Sequence, residues 1–272
     1  MGGIEKRKVW TGILLAPPVL LLVIFGPPAI LICMVLLATF FGLREFFALA
    51  LPQSKSMERL AGMGLGLGLS LLVALGRPTL IPLYFAFLLF FLSILFMVTS
   101  ENLATAIFHM AVILFGILYV GFLLAHVSLI RHLPDGRYWT LFLIVTIWAG
   151  DISAFVSGSW WGKHKFYPKI SPKKTYEGLG GAILGSVIVA LAFHLLFLPD
   201  LGQGVFMLLG MGLGALGQSG DFTESMLKRS AQVKDSGTLI PGHGGMLDRL
   251  DSFLFTAPFL YYVLLYLFKG TL

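Results

Sequence analysis

Between Asp221 and Asp251 the chain gathers carboxylates and cations in a pattern suited to phosphate chemistry. The stretch reads DFTESMLKRSAQVKDSGTLIPGHGGMLDRLD and separates two apolar runs. If the helix before it continues past Asp221, then Asp221, Glu224, Ser225, Lys228 and Arg229 fall at helical spacing on one face. Two carboxylates and two cations on one stripe make a poor surface helix, but they could hold a metal ion and a polyphosphate. Asp248 and Asp251, three apart, share a face if the next helix starts there, and acids at a helix N-terminus also read as caps. All-carboxylate ligation points to a hard ion such as Mg2+, which keeps waters and phosphate oxygens in its shell. His243 has no second His at ligand spacing, which argues against zinc. The glycines of Pro241-Gly-His243-Gly-Gly let backbone N–H groups approach an anion.

A second polar cluster precedes this one. Lys163, Lys165, Lys169, Lys173 and Lys174 crowd the loop before Glu177. They read either as a basic loop on anionic lipid or as a clamp for a phosphate-bearing headgroup or nucleotide. Asp151 lies well inside an apolar run, where an ionisable residue is costly and marks a functional position or a buried ion pair. Two other patterns carry nothing. Ser225-x-x-Lys228 lacks the companion motifs of the serine acyl-enzymes. Gly212-x-Gly214-x-x-Gly217 sits in an apolar helix, with no preceding strand to make it a dinucleotide loop.

The elements that must position these groups are membrane helices. Of 272 residues 57% are hydrophobic and 12% charged, against roughly 25% charged in soluble domains. The apolar runs are continuous, not alternating, which excludes a β-barrel. The net charge of +6 fits the positive-inside bias and implies no nucleic-acid partner. Nine runs approach spanning length: Trp10–Phe25, Pro28–Ala50, Arg59–Gly76, Thr79–Val98, Leu103–Ile130, Tyr138–Ser159, Tyr176–Leu198, Leu201–Gly220 and Ser252–Phe268. The first has the basic start of a signal peptide but no small-x-small cleavage site, and reads as a retained helix. With the N-terminus cytoplasmic, 15 Lys and Arg lie inside and 4 outside, as the charge rule prefers. Both polar loops, 160–175 and 221–251, then share the cytoplasmic face.

The expected architecture is an all-α polytopic membrane protein of about nine transmembrane helices with a polar, cytoplasm-facing funnel. Five helices in 1–137 would form a scaffold and lipid side; four in 138–272 would form the catalytic bundle. Glycine pairs such as Gly62/Gly66 and Gly210/Gly214 suit close helix packing, within the chain or in a homodimer. His109 and His126 read as hydrogen-bonded core residues.

Ser225-x-x-Lys228-Arg229-x4-Lys234-Asp235-x5-Pro241-x-His243-Gly-Gly-x-x-Asp248-Arg249-x-Asp251 resembles the signature of the phosphatidate cytidylyltransferases, with no gap or shifted spacing. Asp151-x-x-Ala-Phe-x-x-Gly158, Gly162-Lys163 and Ser171-Pro-Lys-Lys-Thr-x-Glu177-Gly178 resemble further blocks of that family. The likeness runs from Trp148 to Asp251. It implies condensation of CTP with phosphatidate to CDP-diacylglycerol and pyrophosphate, by an integral protein of a prokaryotic inner membrane. In that reading Asp221 and Asp248 hold Mg2+, with Asp251 and Asp151 as further ligands or supports and a second cation such as K+ beside it. Lys228, Arg229, Lys234 and Arg249 would bind the triphosphate, and Lys173 and Lys174 the phosphatidate headgroup. Ser225 and His243 would line the substrate site. A CTP-dependent polyprenol-type kinase and an ion-coupled transporter are the other readings of the same residues.

Overall fold

The computed structural model describes residues 17–52, 54–100, 102–199, 201–239 and 244–268. In hydrocarbon every backbone polar group needs a partner inside its own segment, so the apolar runs become helices. They are α1 (Pro28–Ala50), α2 (Ser56–Ala74), α3 (Ile81–Thr99), α4 (Leu103–Gly116), α5 (Leu123–His132), α6 (Gly136–Trp160), α7 (Tyr176–Leu196), α8 (Gln203–Ser230) and α9 (Leu247–Leu267). A π-helical turn, Ile117–Phe122, joins α4 to α5, so the two cross as one unit. Among the described residues, seven spans are long and apolar enough to cross a bilayer. The protein is an all-α polytopic membrane protein. Of the expected first run, 17–25 is helical; the remainder lies outside the described residues, as do His243 and Lys269.

At the polar stretch the helices outrun the apolar runs, and both conditions set by the spacing hold. α8 does not stop at Gly220 but runs to Ser230, carrying its charged face with it. α9 starts at Leu247, not Ser252, so Asp248 and Asp251 belong to its first turns. Two short strands, β1 (Lys165–Tyr167) and β2 (Ser171–Thr175), form an antiparallel hairpin where a plain basic loop was expected. Thr175 ends the hairpin and caps α7, its hydroxyl accepting the Gly178 amide at 3.1 Å.

Helices α6 to α9 pack in sequence. The glycine pairs serve this packing from within the chain. A Cβ at Gly210 would sit 2.7 Å from Val187 Cα, and one at Gly214 2.8 Å from Ile183 Cα. Gly62 and Gly66 receive Phe47 and Leu43 of α1 in the same way. His126 is a core residue as expected, its Nδ1 2.9 Å from the Phe122 carbonyl; His109 is half-buried and faces Glu58 at 3.5 Å.

Candidate active site

The site forms where the polar end of α8 meets the first turns of α9. Gly220 brings the two together: a Cβ there would overlap the Asp251 carbonyl oxygen and lie 2.9 Å from its carbon. The next residue, Asp221, therefore stands beside Asp251. Asp221, Glu224 and Asp251 each offer a carboxylate oxygen within 4.8 Å of the others. Carboxylates gathered this closely repel unless a cation lies among them. Three hard oxygen donors at this spacing fit a divalent ion such as Mg2+, with room in its shell for waters or phosphate oxygens. The Ser225 hydroxyl donates to Asp221 Oδ1 at 3.3 Å and orients it.

Lys228 lies one turn beyond. It pairs with Glu224, whose side chain is fully buried, and with Asp248 at 2.5 Å. The oxygens of Asp248 are therefore engaged. Oδ1 takes Lys228; Oδ2 accepts the Ser236 amide at 2.9 Å, the Ser236 hydroxyl at 2.9 Å and the Gly245 amide at 2.8 Å. Of the carboxylates the sequence singled out as ligands, Asp221 and Asp251 converge. Asp248 stands behind them, holding Lys228 and the loop, and Glu224 takes the third place. Gly244 has φ +81°, and a Cβ there would press on the Asp248 carboxylate, 3.2 Å from its carbon. The position thus excludes side chains both by conformation and by space.

The hairpin and α6 form the other wall. Lys174 Nζ lies 2.6 Å from Asp221 Oδ2 and 4.1 Å from the Phe222 ring centre, a cation–π contact. Phe166 of β1 packs on Phe222 at 4.8 Å, seating the hairpin on α8. Arg229 clips it from below, donating from Nε to the Ile170 carbonyl at 3.2 Å and from Nη1 to the Val233 carbonyl at 2.9 Å. Glu177 holds the hairpin's entry through His164 Nδ1 at 2.7 Å. Asp151 accepts from Gln218 Nε2 at 3.3 Å. Together Asp151, Phe155, Lys173, Lys174, Gln218 and Asp221 line a cavity of about 310 Å³. Its apolar flank continues outward: Phe155 is 76% exposed and Ile152 65%. Lys234 and Arg249 are exposed near the same end of the molecule.

Gln218 and Glu45 are among the residues of this arrangement that escaped the sequence reading. Gln218 lay hidden in a glycine-rich run, and Glu45 in the apolar run of α1. Glu45 Oε1 accepts the Met246 amide at 2.9 Å and Oε2 the Leu247 amide at 2.8 Å, across most of the sequence. An acid inside a spanning run was the available signal.

Comparison with known proteins shows the family. The model of a family described as the cytidylyltransferase family matches residues 6–267. A phosphatidate cytidylyltransferase of Bacillus subtilis is 42% identical over 148 residues, 54% of this chain and 55% of that protein. One of Staphylococcus aureus is 42% identical over 149 residues, 54% of this chain and 56% of that protein. One of Synechocystis is 36% identical over 265 residues, 83% of this chain and 85% of that protein. The chain thus spans a little over half the length of the Bacillus and Staphylococcus relatives, and most of the cyanobacterial one.

Proposed function

The chain belongs to the cytidylyltransferase family, and from that premise we propose that it condenses CTP with phosphatidate to give CDP-diacylglycerol and pyrophosphate. The observation that carries this reading is the convergence of Asp221, Glu224 and Asp251 beside Lys174 and Lys228, at the wall of a cavity with an apolar flank.

In this reading an oxygen of the phosphatidate phosphate attacks the α-phosphorus of CTP. The bond from that phosphorus to the β-phosphate bridging oxygen breaks, and pyrophosphate leaves with the electron pair. The nucleophile is already an anion, so no strong base is required. The barrier is repulsion between phosphates and charge on the leaving group, and positioned cations lower both. Asp221, Glu224 and Asp251 would hold Mg2+, which when bound screens the phosphate charges. Asp248 fixes Lys228 toward the same space, and Asp151 extends the acid wall into the cavity. Lys228, Arg229, Lys234 and Arg249 take the triphosphate, with Ser225 and His243 at its edge. Lys173 and Lys174 take the phosphatidate headgroup, and its acyl chains lie along the flank of Phe155 and Ile152. A second cation, such as K+, would share the site.

The same reading divides the chain into a lipid-side scaffold, 1–137, and a catalytic bundle, 138–272. It places the protein in a prokaryotic inner membrane by nine spans, with the site facing the cytoplasm.

The test is pyrophosphate release by purified protein given phosphatidate, Mg2+ and CTP labelled on the base. Base label entering lipid, one per pyrophosphate released, supports the proposal. Label remaining in soluble CDP while γ-phosphate enters a polyprenol would overturn it in favour of a kinase. Ion-coupled solute uptake without pyrophosphate release would overturn it in favour of a transporter.

A further inference from the structure

The start of α9 carries acids at 248 and 251, and its boundary residue, Met246, provides no side-chain cap. The Ser236 hydroxyl accepts the Asp248 amide at 3.3 Å, which leaves the amides of Met246 and Leu247 to be met from elsewhere. The first amides of a helix need acceptors from elsewhere. Glu45 of α1 supplies them, Oε1 to the Met246 amide and Oε2 to the Leu247 amide. A carboxylate also suits the positive end of the helix dipole. The same Oε2 lies 3.0 Å from the Ser236 hydroxyl, which lies 2.9 Å from Asp248 Oδ2. A hydroxyl has one proton to donate, so Glu45 and Asp248 share it in alternation. The loop is built closely around this carboxylate. A Cβ at Gly237 would sit 2.6 Å from Glu45 Oε1, and one at Gly245 2.6 Å from Glu45 Cδ.

We propose that Glu45 is a positioning residue for the site: from α1 it caps α9 and, through Ser236, sets where the turn bearing Asp248 and Asp251 stands. Both of its oxygens are taken by the Met246 and Leu247 amides and the Ser236 hydroxyl, so it acts through the turn it holds. The inference rests on reading that turn as part of the cytidylyltransferase site.

Glu45→Ala and Glu45→Gln in the full-length purified protein test it. Gln keeps the size and one acceptor oxygen, but turns an NH2 toward one of two backbone donors. Amide exchange at 246–248 is expected to quicken in both variants, with α6 and α7 protected as in the parent. The Mg2+ concentration for half-maximal rate is expected to rise roughly tenfold, as for the loss of groups that orient metal ligands. kcat should fall while KM for CTP changes little. Unchanged exchange at 246–248 together with unchanged kcat and Mg2+ dependence would overturn the proposal. A uniform rise in exchange over all helices would do so as well, because Glu45 would then support the fold at large. Should Glu45→Ala not fold, Glu45→Gln carries the same comparison. If the parent protein releases no pyrophosphate, the functional reading fails separately, and exchange at 246–248 still reports on the cap.

Discussion

Lys174 Nζ lies 2.6 Å from Asp221 Oδ2, so a residue of the hairpin closes one side of the acid cluster on α8. The ammonium is held between the carboxylate and the Phe222 ring. In the proposed reaction it is already placed to meet an incoming phosphate. Lys174→Gln is expected to lower kcat/KM for phosphatidate by on the order of 10²-fold, the scale of losing one preorganised donor. KM for CTP should move much less. Steady-state kinetics with each substrate varied in turn check this; equal losses for both substrates would count against the assignment.

Removing the acids tests the metal. Asp221→Asn and Asp251→Asn should abolish nearly all turnover while the protein still inserts and elutes as the parent does. Excess chelator should reproduce the effect on the parent, and added Mg2+ should reverse it there. Full activity of Asp221→Asn in the presence of chelator would falsify the ligand set.

Lys228 is a stability prediction as well as a catalytic one. Its ammonium pairs with Glu224, whose side chain is fully buried, and with Asp248. Lys228→Met leaves these carboxylates without that cation. Breaking a buried pair from one side typically costs about 3–5 kcal/mol. Thermal unfolding in detergent should show the loss, and Glu224→Gln added to Lys228→Met should restore part of it. Equal melting of parent and Lys228→Met would show that the pairs hold nothing together.

Asp151 lines the cavity with Asp221 and binds Gln218. Asp151→Asn keeps the size of the group and removes its charge, so turnover should fall strongly with little change in melting temperature. Asp151→Leu tests the structural share: a melting loss confined to Leu marks the hydrogen bond with Gln218 as the stabilising part. Parent-like turnover of Asp151→Asn would remove Asp151 from the site.

The apolar runs were legible because hydrocarbon enforces helices wherever charge is absent over some twenty residues. Their ends at the site were not. Hydropathy stops α8 at Gly220, yet the helix continues because Glu224, Ser225 and Lys228 keep facing the interior at helical spacing. Leu247 to Asp251 reads as polar loop by composition and is the start of α9. The acids themselves were legible from residue type and spacing, but their division of labour was not. Which of Glu224 and Asp248 joins Asp221 and Asp251 depends on Ser236 and Gly245 occupying the Asp248 oxygens. Glu45 was visible as an acid inside a spanning run, but its role was not. Its partners lie about two hundred residues away, and no local pattern encodes a contact of that range. The hairpin was hidden by its lysines, which look like headgroup anchors until Phe166 is seen packed on Phe222.

Backbone contact at Gly220 gives the site a property that side-chain rotamers alone would not. At Gly220 main chain rests on main chain, and this limits how far apart the backbones bearing Asp221 and Asp251 stand. In the proposed metal site such an approach would act as a gauge for ionic radius. Oxygen ligands stand at about 2.0–2.1 Å from Mg2+ and about 2.3–2.6 Å from Ca2+, so the larger ion would need its carboxylate ligands to stand further apart. Even one added methyl group at position 220 would reset that gauge.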